Sequence, residues 1–374
     1  ILIKSSGGRC YLEWHNPDNR GDPEIPKKVP VQLRDPGILK PFQSLVINYG
    51  IPSYGSVDPT PVVAVFYLIM FGLMFGDAGH GLVVFLIGLI GSLRHKKQKK
   101  DSLLFPLITW CGLSAILFGV LFGSYFGFNL LPSLWFDYHA VVLGHRPSGG
   151  VRTLADILVL TIFFGFAVIG TGLLINWYNK MKKRDWSGLI WGNGGLLTGW
   201  IYGFGASSAF YFIAHDYKKL PGSLILFLTL SIPVLLMGLK PFVELKKHRI
   251  EHPEEPFRKI NILNIIMEWL VELLEIFSGY LSNTLSFMRV AGLGIAHVSL
   301  MAAFYQIAGM ASADGRLTLW SYCILIVGNV LVITLEGLSA GIQALRLNYY
   351  EFFSKYFIGN GLAYAPVSLR SKDI

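Results

Sequence analysis

From Pro256 to Pro366 the chain runs without a proline. Inside that stretch Tyr280–Leu300, read YLSNTLSFMRVAGLGIAHVSL, sets one arginine and one histidine among apolar, small or neutral residues. A charged Arg at bilayer depth costs at least ~2.5–3.5 kcal/mol even on lenient insertion scales, so Arg289 marks a functional site. Apolar residues recurring from Ile262 to Gly309 predict one helix here. At ~1.5 Å per residue it is roughly 70 Å long, more than twice a ~30 Å hydrocarbon core, so it must tilt strongly or project from the bilayer. Glu275 precedes Arg289 by fourteen residues and His297 follows it by eight. At about 100° per residue, all three fall within roughly 120° of one face.

Composition places the whole chain in the same setting. Hydrophobic residues make up 53% and charged residues 15%, and the mean hydropathy is +0.51, outside the soluble globular range. The predicted fold is an all-α integral membrane protein with eight transmembrane helices, the last two unusually long and tilted. The spans read as Val62–Phe75, Leu82–Leu93, Leu103–Phe122, Leu154–Trp177, Leu189–Ile213 and Leu224–Leu239, then the helix from Ile262 and a last one over Leu317–Phe357. Residues 1–60, polar and broken by proline, read as a cytoplasmic approach segment to a membrane domain over 61–374. The chain starts without Met and without a signal-peptide layout, which predicts a piece of a longer protein preceded by a cytoplasmic domain. Alternate loops at 94–100, 179–186 and 240–259 hold fifteen Lys and Arg, against five in the intervening loops. The positive-inside rule puts the first set, and both termini, in the cytoplasm. The net charge of +9 belongs to those loops and not to a nucleic-acid site.

Smaller signals have bland readings. Gly119/Gly123/Gly127 and Gly195/Gly199/Gly203 repeat at four-residue spacing and predict helix-packing seams. Cys10, Cys111 and Cys323 lie far apart and form neither a disulfide framework nor a metal site. Phe75–Gly81, FGDAGHG, joins the first two apolar runs as a hairpin near a membrane surface, with Asp77 as a helix cap in a glycine turn. Trp135 and Tyr138 suit an interfacial aromatic belt. GLSAG at Gly337–Gly341 matches GxSxG formally, yet Ser339 sits in an apolar helix without the strand and sharp turn that a hydrolase needs. The sequence holds no GxxxxGK[ST] and no HExxH, so it carries no nucleotide-hydrolysing or zinc-protease signature.

Leu335–Phe353, LEGLSAGIQALRLNYYEFF, supplies a second set of polar residues, with Glu336, Gln343 and Arg346 on one face. SNTLSFMRVAGLGIAH, EGLSAGIQALRLNYYEFFSKYF and FGDAGHG, in that arrangement, closely resemble the membrane half of the a (or I) subunit of V/A-type rotary ATPases. The resemblance runs from about Val31 to the C-terminus. It implies an ion-translocating stator subunit with no catalytic chemistry of its own, in which Arg289, with Arg346 as second arginine, faces the carboxylates of a rotating ring. A fixed cation beside a passing carboxylate lowers its pKa and drives its proton off. Glu275 is then expected to serve a cytoplasmic half-channel, with Ser278, Ser282 and Glu351 as possible lining, and His297 and Glu336 to serve the opposite one. Gln343 stands where eukaryotic members usually have histidine, which implies a prokaryotic cell-membrane protein; Gly279 stands where a polar residue is usual, which leaves the cytoplasmic path to Ser278, Ser282 and water.

The resemblance implies no cofactor beyond the transported ion, H⁺ in preference to Na⁺. Its implied partners are a proteolipid c-ring (subunit c, K or L), peripheral-stalk subunits E and G through the cytoplasmic domain, a central-stalk subunit (d or C) nearby, and membrane lipid. The rival reading is a secondary transporter with a midplane ion site; such folds usually show internal repeats and broken helices, whereas here the ionisable residues gather on the last two helices and no repeat is visible. A purely structural anchor leaves Glu336 and Arg289 unexplained. The orientation is testable. Cysteines placed at Ser148 and Gly222 are expected to react with an impermeant thiol reagent from outside, and one at Gln98 only from the cytoplasm. Reversed labelling overturns the loop-charge argument.

Overall fold

The computed structural model describes residues 29–33, 37–97, 103–129, 132–143, 153–192, 194–215, 218–219, 222–241, 262–312 and 318–364. Cys10, most of the approach segment, the basic stretch from 242 to 259 and the labelling positions Gln98 and Ser148 lie outside the described residues. In chain order come β1 (Pro30–Val31), α1 (Lys40–Tyr49), α2 (Thr60–Met74), α3 (Ala78–Lys97), α4 (Leu104–Phe122), β2 (Ser124–Tyr125), β3 (Phe128–Asn129) and α5 (Tyr138–Leu143). They are followed by α6 (Leu154–Lys182), α7 (Trp186–Trp191), α8 (Leu196–Ala214), α9 (Ser223–Met237), α10 (Ile262–Ser286), α11 (Met288–Met310), α12 (Leu319–Leu347) and β4 (Leu362–Ala363).

Among the described residues, six stretches are long and apolar enough to cross a membrane: Ala78–Lys97, Leu104–Phe122, Leu154–Lys182, Trp186–Ala214, Ile265–Met310 and Leu319–Lys355. The first and sixth predicted spans correspond to shorter apolar helices, Thr60–Met74 and Phe227–Met237. A helix of 15 residues such as α2 rises only ~22 Å against a ~30 Å core. Of the eight spans expected, six therefore correspond to stretches of sufficient length among the described residues, and the other two to apolar helices too short for that.

Local sequence explains the starts of the helices. Thr153 caps α6 in a reciprocal capping box with Asp156, and Thr318 caps α12 through the Ser321 N–H, each satisfying donors that the first turn leaves free. Within the bundle, where lipid is as apolar as leucine, close packing replaces the hydrophobic effect. The α3–α4 hairpin shows how close. A Cβ on Gly112 would lie 2.4 Å from the Phe85 nitrogen, and one on Gly119 would lie 2.0 Å from that of Ala78. Of the two predicted glycine seams, only Gly119 and Gly199 pack helix against neighbour, Gly199 against Trp177. Gly123 ends α4 in the left-handed region, Gly127 turns the β2–β3 hairpin, and Gly203 faces open space.

The predicted helix over Ile262–Gly309 is two helices. α10 ends at Ser286 and α11 begins at Met288. At Phe287 the ladder tightens to three-residue bonds, from the Phe287 N–H to Thr284 O (3.2 Å) and from the Val290 N–H to Phe287 O (3.0 Å). Thr284 and Ser286 donate their hydroxyls back to Tyr280 O (2.8 Å) and Ser282 O (3.1 Å), a competition with the backbone that bends helices. Phe287 itself is fully buried and fits over Gly165 of α6, whose added Cβ would meet its ring at 2.6 Å.

Tyr138 does not join an interfacial belt. It is buried at 4% exposure, with its hydroxyl against Gly294 and Ala291 of α11. Trp135 stacks on Phe122 and stays 44% exposed. Gly119→Ala is expected to cost about 1–3 kcal/mol through overpacking, read as a lower melting temperature and lower monodisperse yield in detergent. Gly203→Ala is expected to stay within about 0.5 kcal/mol of the parent. Equal behaviour of the two variants would contradict the hairpin packing.

Candidate functional site

Polar residues inside the bundle gather in two places along α11 and α12. The first begins at Asp77, in the short turn between α2 and α3. Its Oδ1 accepts the N–H groups of His80 and Phe126, both at 2.9 Å. Its Oδ2 accepts the Ser124 hydroxyl at 2.6 Å and the Gly127 N–H at 2.7 Å. The cap predicted for Asp77 is present in the His80 bond. The other three bonds pin the β2–β3 hairpin, whose turn residues Phe126 and Gly127 both have positive φ.

His80 and His297, both buried, face each other with ring centroids 5.4 Å apart. Phe75 packs on both, its ring 6.0 Å from that of His80 and 5.3 Å from that of His297. His80 Nε2 donates to Asn329 Oδ1 at 2.7 Å, and His297 Nδ1 donates to Glu336 Oε2. Glu336 therefore pairs with a histidine of α11, not with Arg346. His139 lies in the connecting helix α5. Burial pushes its imidazole below the ordinary histidine value, against the opposing pull of Asp137 and Asp77.

The second gathering surrounds Glu351. After α12 the chain winds into a π-helical turn, Asn348–Phe352, then a 3₁₀ turn, Phe353–Lys355, where a single continuous helix to Phe357 was predicted. Single π turns recur at functional sites. This one buries Glu351 at 4% exposure, with Ser286 in hydrogen-bonding reach and Arg289 and Arg346 acting on its charge. Arg289 is half-buried and Arg346 exposed. Arg289 Nη1, Gln343 Oε1 and Glu351 Oε2 are each buried without a hydrogen-bond partner among the described residues.

The structure thus joins His297 with Glu336 and sets the buried Glu351 in the field of Arg289 and Arg346, with no hydrogen bond or ion pair to either among the described residues. Glu275, Ser278 and Ser282 stand on the exposed face of α10, and among the described residues no hydrogen bond or ion pair joins Glu275 to Arg289. The break at Phe287 ends the common face predicted for them. Asn329, Asp77 and His80 belong to the first group without having been predicted as site residues. Asn329 lies seven residues before Glu336, hence on the same helix face, and that spacing was a usable signal.

Comparison with known proteins finds relatives over most of the chain. A-type ATP synthase subunit I of Aeropyrum pernix is 30% identical over 95% of this chain and 53% of its own length. The subunits of the same name from Methanocaldococcus jannaschii and Archaeoglobus fulgidus are 26% and 27% identical, over 98% and 93% of this chain. The chain spans about half the length of the curated relatives it matches. The profile of the V-type ATPase 116 kDa subunit family matches residues 21–136 and 242–369, which include both polar groups. The chain belongs to that family.

Proposed function

We propose that this chain is the ion-translocating membrane stator of a V/A-type rotary ATPase, a non-catalytic subunit that works against a ring of proteolipid subunits. The observation that carries the reading is Arg289. It is a half-buried cation in a spanning helix, with one nitrogen unpartnered, and it opens onto an exposed face of small residues, Gly292, Ala296, Ser299 and Ala303. Small residues let a second helix approach closely. A helix bearing a carboxylate that passes along this face meets Arg289, gives up its proton and takes the guanidinium as counter-ion. The fixed charge also blocks protons from running straight along the interface.

Two half-channels complete the mechanism. The one on the non-cytoplasmic side uses Glu336 and His297; the cytoplasmic one uses Glu275, Ser278, Ser282 and Glu351, with Gln343 between. The ion is H⁺ in this reading, with Na⁺ a matter for the ring's own carboxylates. In this reading peripheral-stalk subunits E and G, held through a cytoplasmic domain, and a central-stalk subunit d or C close by complete the assembly. The setting is a prokaryotic cell membrane, with both termini in the cytoplasm.

The break at Phe287 is the one feature that favours the rival, a secondary transporter with a midplane ion site, since such folds use broken helices. Here the ladder tightens without unwinding, and family membership weighs for the rotary assembly.

Arg289→Ala is expected to abolish ion uptake driven by ATP hydrolysis in reconstituted vesicles while the complex still assembles. Arg289→Lys is expected to be badly impaired, because the planar fork is lost. Uptake at the parental rate in the Ala variant refutes the mechanism. Glu336→Gln keeps size but carries no proton. It is expected to lower pumping on the order of 100-fold, as for other lost proton-transfer groups, with little loss of yield. Normal pumping with a depressed melting temperature would instead make Glu336 a structural partner of His297.

A further inference from the structure

We propose that the cavity at the end of α6 binds a phosphate group, with an anionic phospholipid headgroup as its source. Three segments build its wall: residues 53–57 of the approach segment, residues 176–185 at the end of α6, and residues 356–358 beyond α12. Its volume of about 120 Å³ is several times the ~10–15 Å³ that holds one water. The wall is rich in unused donors. Asn179, 7% exposed, spends its Oδ1 on the Val57 N–H at 3.0 Å, and among the described residues no hydrogen bond uses its amide NH₂. Tyr356, 8% exposed, has a buried hydroxyl without a partner among the described residues. Lys180 Nζ donates to Gly188 O at 2.8 Å and Lys183 Nζ to Ser53 Oγ at 3.2 Å, which leaves donors on each ammonium.

Neither lysine forms an ion pair among the described residues. Asp185 is the carboxylate of the lining, and its Oδ1 is taken by the Gly188 N–H at 2.9 Å as the cap of α7. Asp58, which acts on Tyr356, lies outside the lining and accepts from Thr60. Two ammonium groups against one carboxylate leave a single positive charge in excess, and a phosphodiester carries the single negative charge that balances it. Its tetrahedral oxygens accept from donors that arrive from different segments, and bonds between ammonium and phosphate are roughly twice as strong as neutral ones. The place in the fold favours a lipid as the source. Lys180 and Lys183 stand in a loop that the charge count assigns to the cytoplasm, and basic pockets between membrane helices on that side bind anionic headgroups. Tyr178, Met181 and Trp186 on the same stretch are exposed, as residues at a membrane–water interface are, and exposed Ile358 gives the rim an apolar edge. A headgroup bound here ties the approach segment to the chain beyond α12, which the Gly361 N–H also joins to Ile51 O at 3.0 Å.

The test reads occupancy of the cavity alone, so its failure is separate from failure of the ion-pathway reading. Ser56→Cys places a thiol in the lining. Its modification by N-ethylmaleimide, in the intact complex stripped of lipid and kept in detergent, is timed by peptide mass. Dioctanoyl-phosphatidylglycerol is expected to slow the reaction several-fold, and zwitterionic dioctanoyl-phosphatidylcholine to leave it unchanged. In the same background Lys183→Gln and Tyr356→Phe are each expected to raise the half-protecting concentration about 10-fold, as for one lost hydrogen bond to a charged group. Lys182→Gln, exposed on the same loop but outside the lining, is expected to change it by less than about twofold. Tyr356→Phe keeps the ring and its packing, which covers the case in which the lysine variant fails to assemble. Inorganic phosphate is the second arm. Protection by the lipid alone supports the headgroup, whereas protection by phosphate at the same concentrations supports the site and moves its source from lipid to solution. No protection by either, equal protection by phosphatidylcholine, protection undiminished in both Lys183→Gln and Tyr356→Phe, or equal loss in Lys182→Gln and Lys183→Gln overturns the site.

Discussion

Asp77 is the residue on which the arrangement of the bundle interior turns. A carboxylate buried at 0% exposure is tolerable only if its lone pairs are matched, and here four donors match them. Three of those donors come from the loop after α4, so the charge that caps α3 also fixes the path of that loop. From the hairpin the chain continues into α5, where Tyr138 seats its hydroxyl against Gly294 and Ala291 of α11. Phe75, two residues before Asp77, packs on His297. The pair formed by α11 and α12 therefore meets α2 and α3 through a polar anchor as well as through side-chain packing.

Two departures from regular α geometry stand around Arg289. On one side the ladder tightens at Phe287, which the buried phenylalanine holds against Gly165. On the other the π turn Asn348–Phe352 swings Glu351 inward. Had both helices run on as predicted, the 100° progression would have kept Glu275 beneath Arg289 and carried Glu351 elsewhere. Instead the acid that lies within reach of Arg289's charge is Glu351, fed from α12 and supported by Ser286 at the end of α10. Asn348, fully buried, holds the start of the turn by donating to Ala344 O at 2.9 Å.

What the sequence made legible follows from the range of each interaction. Arg289 stood out because its cost in lipid needs no neighbour to be recognised. Glu336 and His297 were recognised singly, but their pairing joins positions 39 apart, and no helical period reports it. Asp77 and His80 were read as a cap near a membrane surface, which is correct for the His80 N–H. Their other partners lie 47 to 249 residues away, beyond any local pattern. The break at Phe287 was hidden for another reason. Hydrophobic periodicity is blind to serine and threonine bonding back to the backbone, and Thr284 and Ser286 leave the apolar pattern intact. Likewise four-residue glycine spacing cannot tell a helix seam from a turn, and the same Gly119/Gly123/Gly127 series contains both.

Arg289 and His297 are eight residues apart on α11, about 12 Å along its axis, and Val290–Ala296 between them contains no titratable side chain. Among the described residues no hydrogen bond joins the Arg289–Glu351 group to the Asp77–His80–His297–Glu336 group. The chain thus has two polar stations and an apolar gap. Along α11 a proton that arrives at one station finds no titratable group with which to reach the other, Gln343 of α12 is a neutral amide, and the small-residue face beside the gap is open. A secondary transporter would need a continuous path or a rearrangement within the chain to bridge that distance. In the proposed rotary reading the gap is a requirement, because a carrier on a neighbouring helix crosses it by moving through lipid, and a bridge inside the stator would let ions leak past without turning the ring.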